Sequence, residues 1–191
     1  MNNGLSVVAA CWIVFLVYWF ISSFFAKKSV TKRNFRWKWI VAIILFAIII
    51  NSGVRLFSIS FSPIFSQLFF PSYTVEFIGS FFAVVGVIGA VWARTTLGRN
   101  WSGYVTYKKD HELVTNGPYR WVRHPIYSSL LLMLIGTFIY DPTLVVIIIF
   151  PVYFGIFFWR IRKEEEIMIN LFGNKYRNYM KRTKRLIPFV W

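Results

Sequence analysis

Acidic side chains are rare in this sequence, and three of its seven stand in one run, Glu164, Glu165 and Glu166. The run follows Arg160-Ile161-Arg162-Lys163 in a tail that is otherwise strongly basic. Carboxylates in such a place could bind a cofactor that carries a sulfonium or an amino cation. The alternative is ion pairing along an exposed helix, Arg160 with Glu164 and Arg162 with Glu166. Residue types alone leave both interpretations open.

Both histidines, His111 and His124, lie in a long segment, 94–125, that is also rich in aromatic residues. Loops of this length in a compact domain are usually functional or disordered, and the aromatic content argues against disorder. Pro125 biases His124 toward an extended backbone and can itself begin a helix. We therefore predict that His124 lies beside a helix N-terminus, where a histidine more often caps a helix than catalyses a reaction.

The composition indicates a membrane protein. Of the 191 residues, 57% are hydrophobic and only 15% are charged, whereas about 25% are charged in a typical soluble domain. A single cysteine, Cys11, excludes an intrachain disulfide and zinc sites built on cysteine pairs, and no metal site is predicted.

Five apolar runs are long enough to be considered as transmembrane helices, although the last two are short. The third ends before Arg94, and the last two are separated only by Asp141-Pro142, which predicts an antiparallel hairpin. The first is predicted to be a retained span, because it lacks a basic n-region and a cleavage site. The runs are Leu5–Ala26, Trp39–Val54, Tyr73–Ala93, Ile126–Tyr140 and Thr143–Trp159.

Basic residues predict the orientation of these spans. The segments 27–38 and 94–125 and the tail from 160 hold 21 of the 22 Lys and Arg residues, and five spans put all three on one side. The positive-inside rule makes that side cytoplasmic, with the N-terminus outside and the C-terminus inside, in an inner or cytoplasmic membrane. Anionic lipids are the expected partners of this charge, and nucleic acid is not.

The predicted fold is an all-α integral membrane protein with five transmembrane helices, a C-terminal helical hairpin, a cytosolic loop and an amphipathic C-terminal helix. We expect one domain, 1–191, with three N-terminal spans in 1–93 and the functional half in 94–191. Four apolar residues at four-residue spacing predict a stripe that packs on the core or the bilayer surface. They are Met168, Phe172, Tyr176 and Met180.

Several strings in the C-terminal half resemble the isoprenylcysteine carboxyl methyltransferase family, which belongs to a wider group of membrane methyltransferases that includes phospholipid methyltransferases. Three of them lie before and at the start of the predicted hairpin: Leu97-Gly98-Arg99-Asn100-Trp101-Ser102, His111 to Tyr119, and Arg123-His124-Pro125-Ile126-Tyr127. The tail adds Arg160-x-x-x-Glu164-Glu165, Phe172-Gly173, Tyr176, Tyr179 and Arg185-Leu186-Ile187-Pro188. The first two spans match the family only in hydropathy.

The resemblance implies S-adenosylmethionine as cofactor and a lipid or lipid-modified substrate from the bilayer. It also implies that Arg160 faces the carboxyl group of the substrate and that Glu164 or Glu165 belongs to the cofactor pocket. We list Arg160 and Glu164 as the expected catalytic residues. The expected cofactor-binding residues are His111, Glu112, Leu113, Val114, Tyr119, Arg123, His124, Pro125, Ile126, Tyr127, Glu164 and Glu165.

Methyl transfer to a carboxylate needs no general base, because the nucleophile is already ionised at neutral pH. Alignment and the exclusion of water would then supply the catalysis. A phospholipid N-methyltransferase is the main alternative, and its amine nucleophile would need a proton acceptor such as His124 or Glu164. A membrane sterol reductase and a non-enzymatic membrane module are further alternatives. The scarcity of polar groups within the spans weakens a transport function.

Overall fold

The computed structural model describes residues 7–25, 72–101, 112–140 and 144–187. These residues form five α-helices and two 3₁₀ turns, Gly98–Asn100 and Gly117–Arg120. The described part contains no strand, only one isolated parallel bridge between Val122 and Lys184, so the prediction of a helical fold is confirmed. The helices are α1 Val7–Ser23, α2 Tyr73–Leu97, α3 Pro125–Tyr140, α4 Leu144–Phe172 and α5 Asn174–Arg182.

The predicted second span, Trp39–Val54, lies outside the described residues, so the count of five spans stays a prediction. Among the described residues, one stretch, Tyr73–Asn100, is long and apolar enough to cross a bilayer by length and composition. α1 and α3 are apolar but shorter, with 17 and 16 residues. Many apolar side chains of α1 and α2 are exposed, as expected for surfaces that contact lipid.

α2 and α3 pack closely because small residues face each other along the contact. A Cβ atom added to Gly136 would lie 2.6 Å from the backbone nitrogen of Ala83 and 2.6 Å from the carbonyl oxygen of Gly79. Gly86 is similarly crowded by Met133. Close backbone approach through small residues is a common mode of helix packing in membranes. The sequence analysis did not single out these glycines.

Helix α1 packs against α2 and contributes side chains to the same core as α2 and α3. Its Cys11 and Phe15 are buried in one cluster with Ala83 and Met133. Trp12 also donates a hydrogen bond from Nε1 to the hydroxyl of Thr137, at 3.0 Å. α1 therefore contacts both partners of the close-packed pair.

Helices α3 and α4 correspond to the fourth and fifth predicted runs, with corrections to two of the predictions for this part of the chain. Tyr127, near the start of α3, contacts Phe157 in the middle of α4, with ring centroids 5.1 Å apart, and the antiparallel hairpin itself stays a prediction. Helix α3 begins at Pro125, as predicted. The predicted end of the last span at Trp159 is not a helix end, because α4 continues as one helix to Phe172 and carries the acidic run.

The second correction concerns the predicted apolar stripe. Gly173 separates α4 from α5 and has φ of 52° and ψ of −125°, a backbone conformation that side-chain-bearing residues rarely adopt. The stripe is therefore divided between two helices. Of its members only Tyr176 is buried, while Met168, Phe172 and Met180 are half-buried.

The close contact between α2 and α3 predicts a specific sensitivity to added volume. Replacing Gly136 by alanine should lower the free energy of unfolding by about 1–3 kcal/mol, because the backbones of the two helices must separate to admit the methyl group. Thermal unfolding in detergent would measure the loss. Gly155→Ala is the matched control: apart from its own turn of helix, no atom of the described residues lies within 4 Å of that added Cβ, so the stability of this variant should be unchanged or slightly raised. Equal effects at both glycines would contradict this packing.

Candidate functional site

The segment before α3 is held by the C-terminal strap, which we define as residues 183–187. The amide of Arg123 donates to the carbonyl of Lys184 at 2.8 Å, and the amide of His124 donates to the carbonyl of Arg185 at 3.1 Å. In return, the amide of Lys184 donates to the carbonyl of Trp121 at 3.2 Å. Two segments about sixty residues apart in sequence are thus brought side by side at the start of α3.

A buried ion cluster fastens this pairing to α4. Glu165, which is only 4% exposed, accepts a hydrogen bond from Nε of Arg123 at 2.8 Å and one from Nη2 of Arg185 at 2.7 Å. Arg123 also donates from Nη1 to the carbonyls of Met180 and Thr183. We call the trio Arg123, Glu165 and Arg185 the carboxylate clasp. It joins three separate elements: the segment before α3, helix α4 and the strap.

The clasp keeps Glu165 ionised. Burial by itself raises the pKa of this carboxyl. His124, Arg185 and Arg123 lower the pKa by more than burial raises it, and the net result is a pKa of about 2. Protonation of this carboxylate would remove a negative charge that lies against both arginines. The charge of Glu165 is therefore part of the fold at neutral pH.

Glu164 faces a different set of groups from its neighbour. Its Oε1 accepts hydrogen bonds from the hydroxyl of Tyr127 at 2.7 Å and from Nε of Arg160 at 3.0 Å. Its Oε2 lies 3.7 Å from Nδ1 of His124, beyond hydrogen-bond distance. The side chain is 24% exposed, so this carboxylate is accessible from outside the protein whereas that of Glu165 is not.

His124 lies between the two carboxylates. The residue is 8% exposed, and its Nε2 lies 3.4 Å from Oε1 of Glu165 without forming an aligned hydrogen bond. Nε2 is one of the few buried polar atoms of the described residues that lack a hydrogen-bond partner. A buried polar atom without a partner suggests that a bound ligand supplies one.

Tyr119 lies near this group, and its backbone is fixed by α5. The hydroxyl of Tyr179 donates to the carbonyl of Tyr119 at 2.6 Å. The Tyr119 ring is 7% exposed, and burial raises the pKa of its phenol, which stays neutral. Tyr119 can therefore offer an aromatic face or a hydroxyl, but no charge.

The structure brings together eight of the predicted site residues and leaves others apart. The residues gathered at the start of α3 and on α4 are Tyr119, Arg123, His124, Pro125, Tyr127, Glu164 and Glu165, with Arg160 bound to Glu164. Ile126 is half-buried on α3. Glu112 is exposed, Leu113 and Val114 are half-buried, and none of the three takes part in the polar contacts reported for the described residues. His111 lies outside the described residues.

Two details of the acidic run differ from the predicted ion pairing. Arg160 pairs with Glu164 as the four-residue spacing suggests, but Glu166 pairs with Lys163 at 3.0 Å instead of Arg162. Arg162 instead lies over the ring of Phe158, 4.3 Å from its centroid. Arg185, the other cation of the clasp, had no predicted role. No local sequence signal distinguishes it from the other basic residues of the tail.

The clasp makes Glu165 a structural residue, and a neutral replacement tests this. Glu165→Gln should lower the free energy of unfolding by about 3–5 kcal/mol, because Arg123, with a side chain 8% exposed, and Arg185, with a side chain 24% exposed, both lose the negative charge of this buried carboxylate. Glu166→Gln is the control, since that side chain is 60% exposed and its ion pair contributes little. Chemical unfolding in detergent would give both values, and similar small losses in the two variants would contradict the clasp.

The low pKa of Glu165 also predicts a pH dependence. Because the pKa in the folded state, about 2, lies below the ordinary value of 4.5, the ionised carboxylate stabilises the fold fully above pH 4.5. That stabilisation is lost as the pH falls toward 2. The stability difference between the wild type and Glu165→Gln should therefore shrink by about 2 kcal/mol between pH 6 and pH 3. A difference that stays constant over this range would show that the carboxylate is not held in its charged form.

Comparison with known proteins supports the resemblance seen in the sequence. Residues 78–170 match the model of the isoprenylcysteine carboxyl methyltransferase (ICMT) family. The protein-S-isoprenylcysteine O-methyltransferase of Schizosaccharomyces pombe is 33% identical over 141 residues, which cover 69% of this chain and 60% of that protein. The enzyme of the same name from Dictyostelium discoideum is 34% identical, with 64% and 54% covered. The chain thus spans little more than half the length of these relatives.

A solved structure described as the eukaryotic intramembrane Ras methyltransferase ICMT is also similar. It superposes with a TM-score of 0.66 at 27% identity, over 97% of this chain and 64% of that one. The family match includes α3, most of α4 and both carboxylates described above. Through residues 78–170, just under half of its length, the chain is similar to the isoprenylcysteine carboxyl methyltransferase family.

Proposed function

We propose that this protein is an integral-membrane methyltransferase that transfers a methyl group from S-adenosylmethionine to the carboxylate of a lipid-modified cysteine. The observation that carries the proposal is the group formed by Glu164, His124, Tyr127 and Arg160 within the segment that matches the family. It combines an accessible carboxylate, a buried imidazole and an arginine at one end of the predicted helical hairpin.

These residues fit the charges of the methyl donor, which carries a sulfonium, an ammonium and a carboxylate. Glu164 would hold a cationic part of the donor, because its Oε2 receives no hydrogen bond from the described residues. The unpartnered Nε2 of His124 would meet a polar atom of the same molecule. Glu165 is committed to two arginines, so we assign it no direct contact with the donor.

Arg160 is proposed to orient the carboxylate of the substrate. Its side chain is 28% exposed, and although burial lowers the pKa of the guanidinium, Tyr127 and Glu164 raise it more, so Arg160 stays charged. A guanidinium can bind a carboxylate through two parallel hydrogen bonds, which fixes the direction of the nucleophilic oxygen. Tyr127 holds Glu164 and thereby sets the spacing between the donor site and Arg160.

When bound, S-adenosylmethionine supplies an electrophilic methyl group. The chain itself needs no general base, because the accepting carboxylate is ionised at neutral pH. We infer that the protein contributes alignment of the two reactants and exclusion of water, which together can lower a barrier by several kcal/mol. The buried side of the site, formed by His124 and Tyr119, supports water exclusion.

We also propose that this site faces the cytoplasm, with the N-terminus outside. The support is the distribution of basic residues along the chain, which lie almost entirely in three of the segments between and after the apolar runs. The polar donor would then enter from the cytoplasm and the lipid part of the substrate from the bilayer. Labelling of introduced cysteines from each side of the membrane would test this orientation.

The assignment of Glu164 leads to a direct test of function. Purified protein should transfer radiolabelled methyl groups from S-adenosylmethionine to a farnesylated cysteine analogue. Glu164→Gln should reduce kcat/KM about 10- to 100-fold, because one charge-assisted contact is worth about 1.5–3 kcal/mol. Glu166→Gln, two positions further along the same helix and exposed, should keep near-normal activity. Transfer only to an ethanolamine lipid would replace the proposed reaction with phospholipid N-methylation.

A further inference from the structure

Arg94, near the C-terminal end of α2, is a buried cation without a described acidic partner. It is 3% exposed, and it donates from Nη1 to the carbonyl of Gly98 and from Nη2 to the carbonyl of Ser22, both at 2.7 Å. Its guanidinium lies 4.4 Å from the ring centroid of Trp101. All of these partners are neutral. Buried charges are usually paired with an opposite charge, and the described residues supply no such charge to Arg94.

The hydrogen-bonding capacity of Arg94 also indicates that an anion binds there. A guanidinium has five N–H donors, and the two reported bonds use two of them. Its Nε is buried and has no hydrogen-bond partner among the described residues. The side chain thus has both uncompensated charge and unused donors. An oxyanion would satisfy both.

A cleft of about 260 Å³ lies directly beside Arg94, between the C-terminal ends of α1 and α2. Ile21 and Phe25 form apolar walls and are 53% and 71% exposed, so the walls continue onto the outer apolar surface of α1. Arg99 is exposed and adds a second cation. None of the described residues that line the cleft is acidic. The other lining residues are Tyr18, Ser22, Thr95 and Gly98.

We propose that this cleft binds an anionic glycerophospholipid of the bilayer. The phosphate would lie against Arg94 and Arg99, and an acyl chain would follow the wall formed by Ile21 and Phe25. The described lining combines two cations with an apolar wall that opens to the outer surface and includes no acidic side chain, which fits an anionic amphiphile better than a soluble anion. The lipid would reinforce the contact that Arg94 makes between α2 and α1.

This site is distinct from the proposed methyl-transfer site. It shares no residue with the group around Glu164, and it would bind lipid whether or not the chain transfers methyl groups. A binding measurement without S-adenosylmethionine or prenylated substrate therefore tests it separately from the proposed function.

The test is a calorimetric titration of the delipidated protein, in a neutral detergent, with dioctanoyl-phosphatidylglycerol. Dioctanoyl-phosphatidylcholine tests the need for net charge, and inorganic phosphate tests the need for the apolar part. Arg99→Gln and Ile21→Asn change exposed positions of the cleft and should leave the fold intact. Arg177→Gln, an exposed cation on α5, is the matched control.

We expect saturable binding of phosphatidylglycerol that Arg99→Gln weakens about fivefold and that Arg177→Gln leaves unchanged. Ile21→Asn should also weaken it, and phosphate and phosphatidylcholine should bind at least tenfold less tightly. Equal binding of phosphatidylcholine would overturn the role of charge, and equal binding of phosphate would overturn the lipid as occupant. Unchanged affinity in Arg99→Gln would overturn the site itself.

Discussion

The ion pairs of Glu165 with Arg123 and Arg185 are the interactions on which the rest of the site depends. The carboxylate of Glu165 is almost completely buried, and it is stabilised there by arginines from two other parts of the chain. A buried ion pair contributes little net stability compared with well-packed apolar side chains, but breaking it is costly. The clasp therefore selects one arrangement of α4, the strap and the segment before α3. The backbone position of His124 follows from that arrangement.

Adjacent acids on one helix acquire different roles because successive residues of an α-helix point about 100° apart. Glu165 points toward the strap and is saturated by cations, whereas Glu164 points toward Tyr127 and Arg160 and keeps one oxygen accessible. The structural charge of Glu165 thus lies beside Glu164, the charge proposed to contact the methyl donor. The clasp also separates the strong positive charge of Arg123 and Arg185 from Glu164, which remains available to a cationic ligand.

Much of this arrangement could be predicted from local sequence signals. The apolar runs predicted α1, α2, α3 and the first part of α4, and the His-Pro step predicted that α3 begins at Pro125. The acidic run was identified as important because it stands in a basic tail. Each of these signals depends on a few neighbouring residues, so it can be recognised in the sequence without knowledge of the tertiary structure. The end of α4 was missed because hydropathy falls at Arg160, although Arg, Lys and Glu are good helix formers.

The contacts between distant segments could not be predicted in the same way. Nothing local distinguishes Arg185 from the other basic residues of the tail, and its role appears only when the strap lies beside α4. Likewise, the close approach of Gly79 and Gly136 exists only once α2 and α3 are packed together, so neither local segment predicts it. Which of Glu164 and Glu165 is buried against the arginines and which stays accessible depends on the rotation of α4 about its axis. The segments packed around α4 determine that rotation.

Amide hydrogen exchange in the wild type and in Arg185→Gln tests the central claim most directly. If the clasp holds the strap against the segment before α3, the variant should lose protection at the amides of Arg123, His124 and Lys184 together, because each donates across that pairing. Protection along α2 and α3 should remain. Unchanged protection at these three amides in a variant that lacks the Arg185 charge would contradict the account.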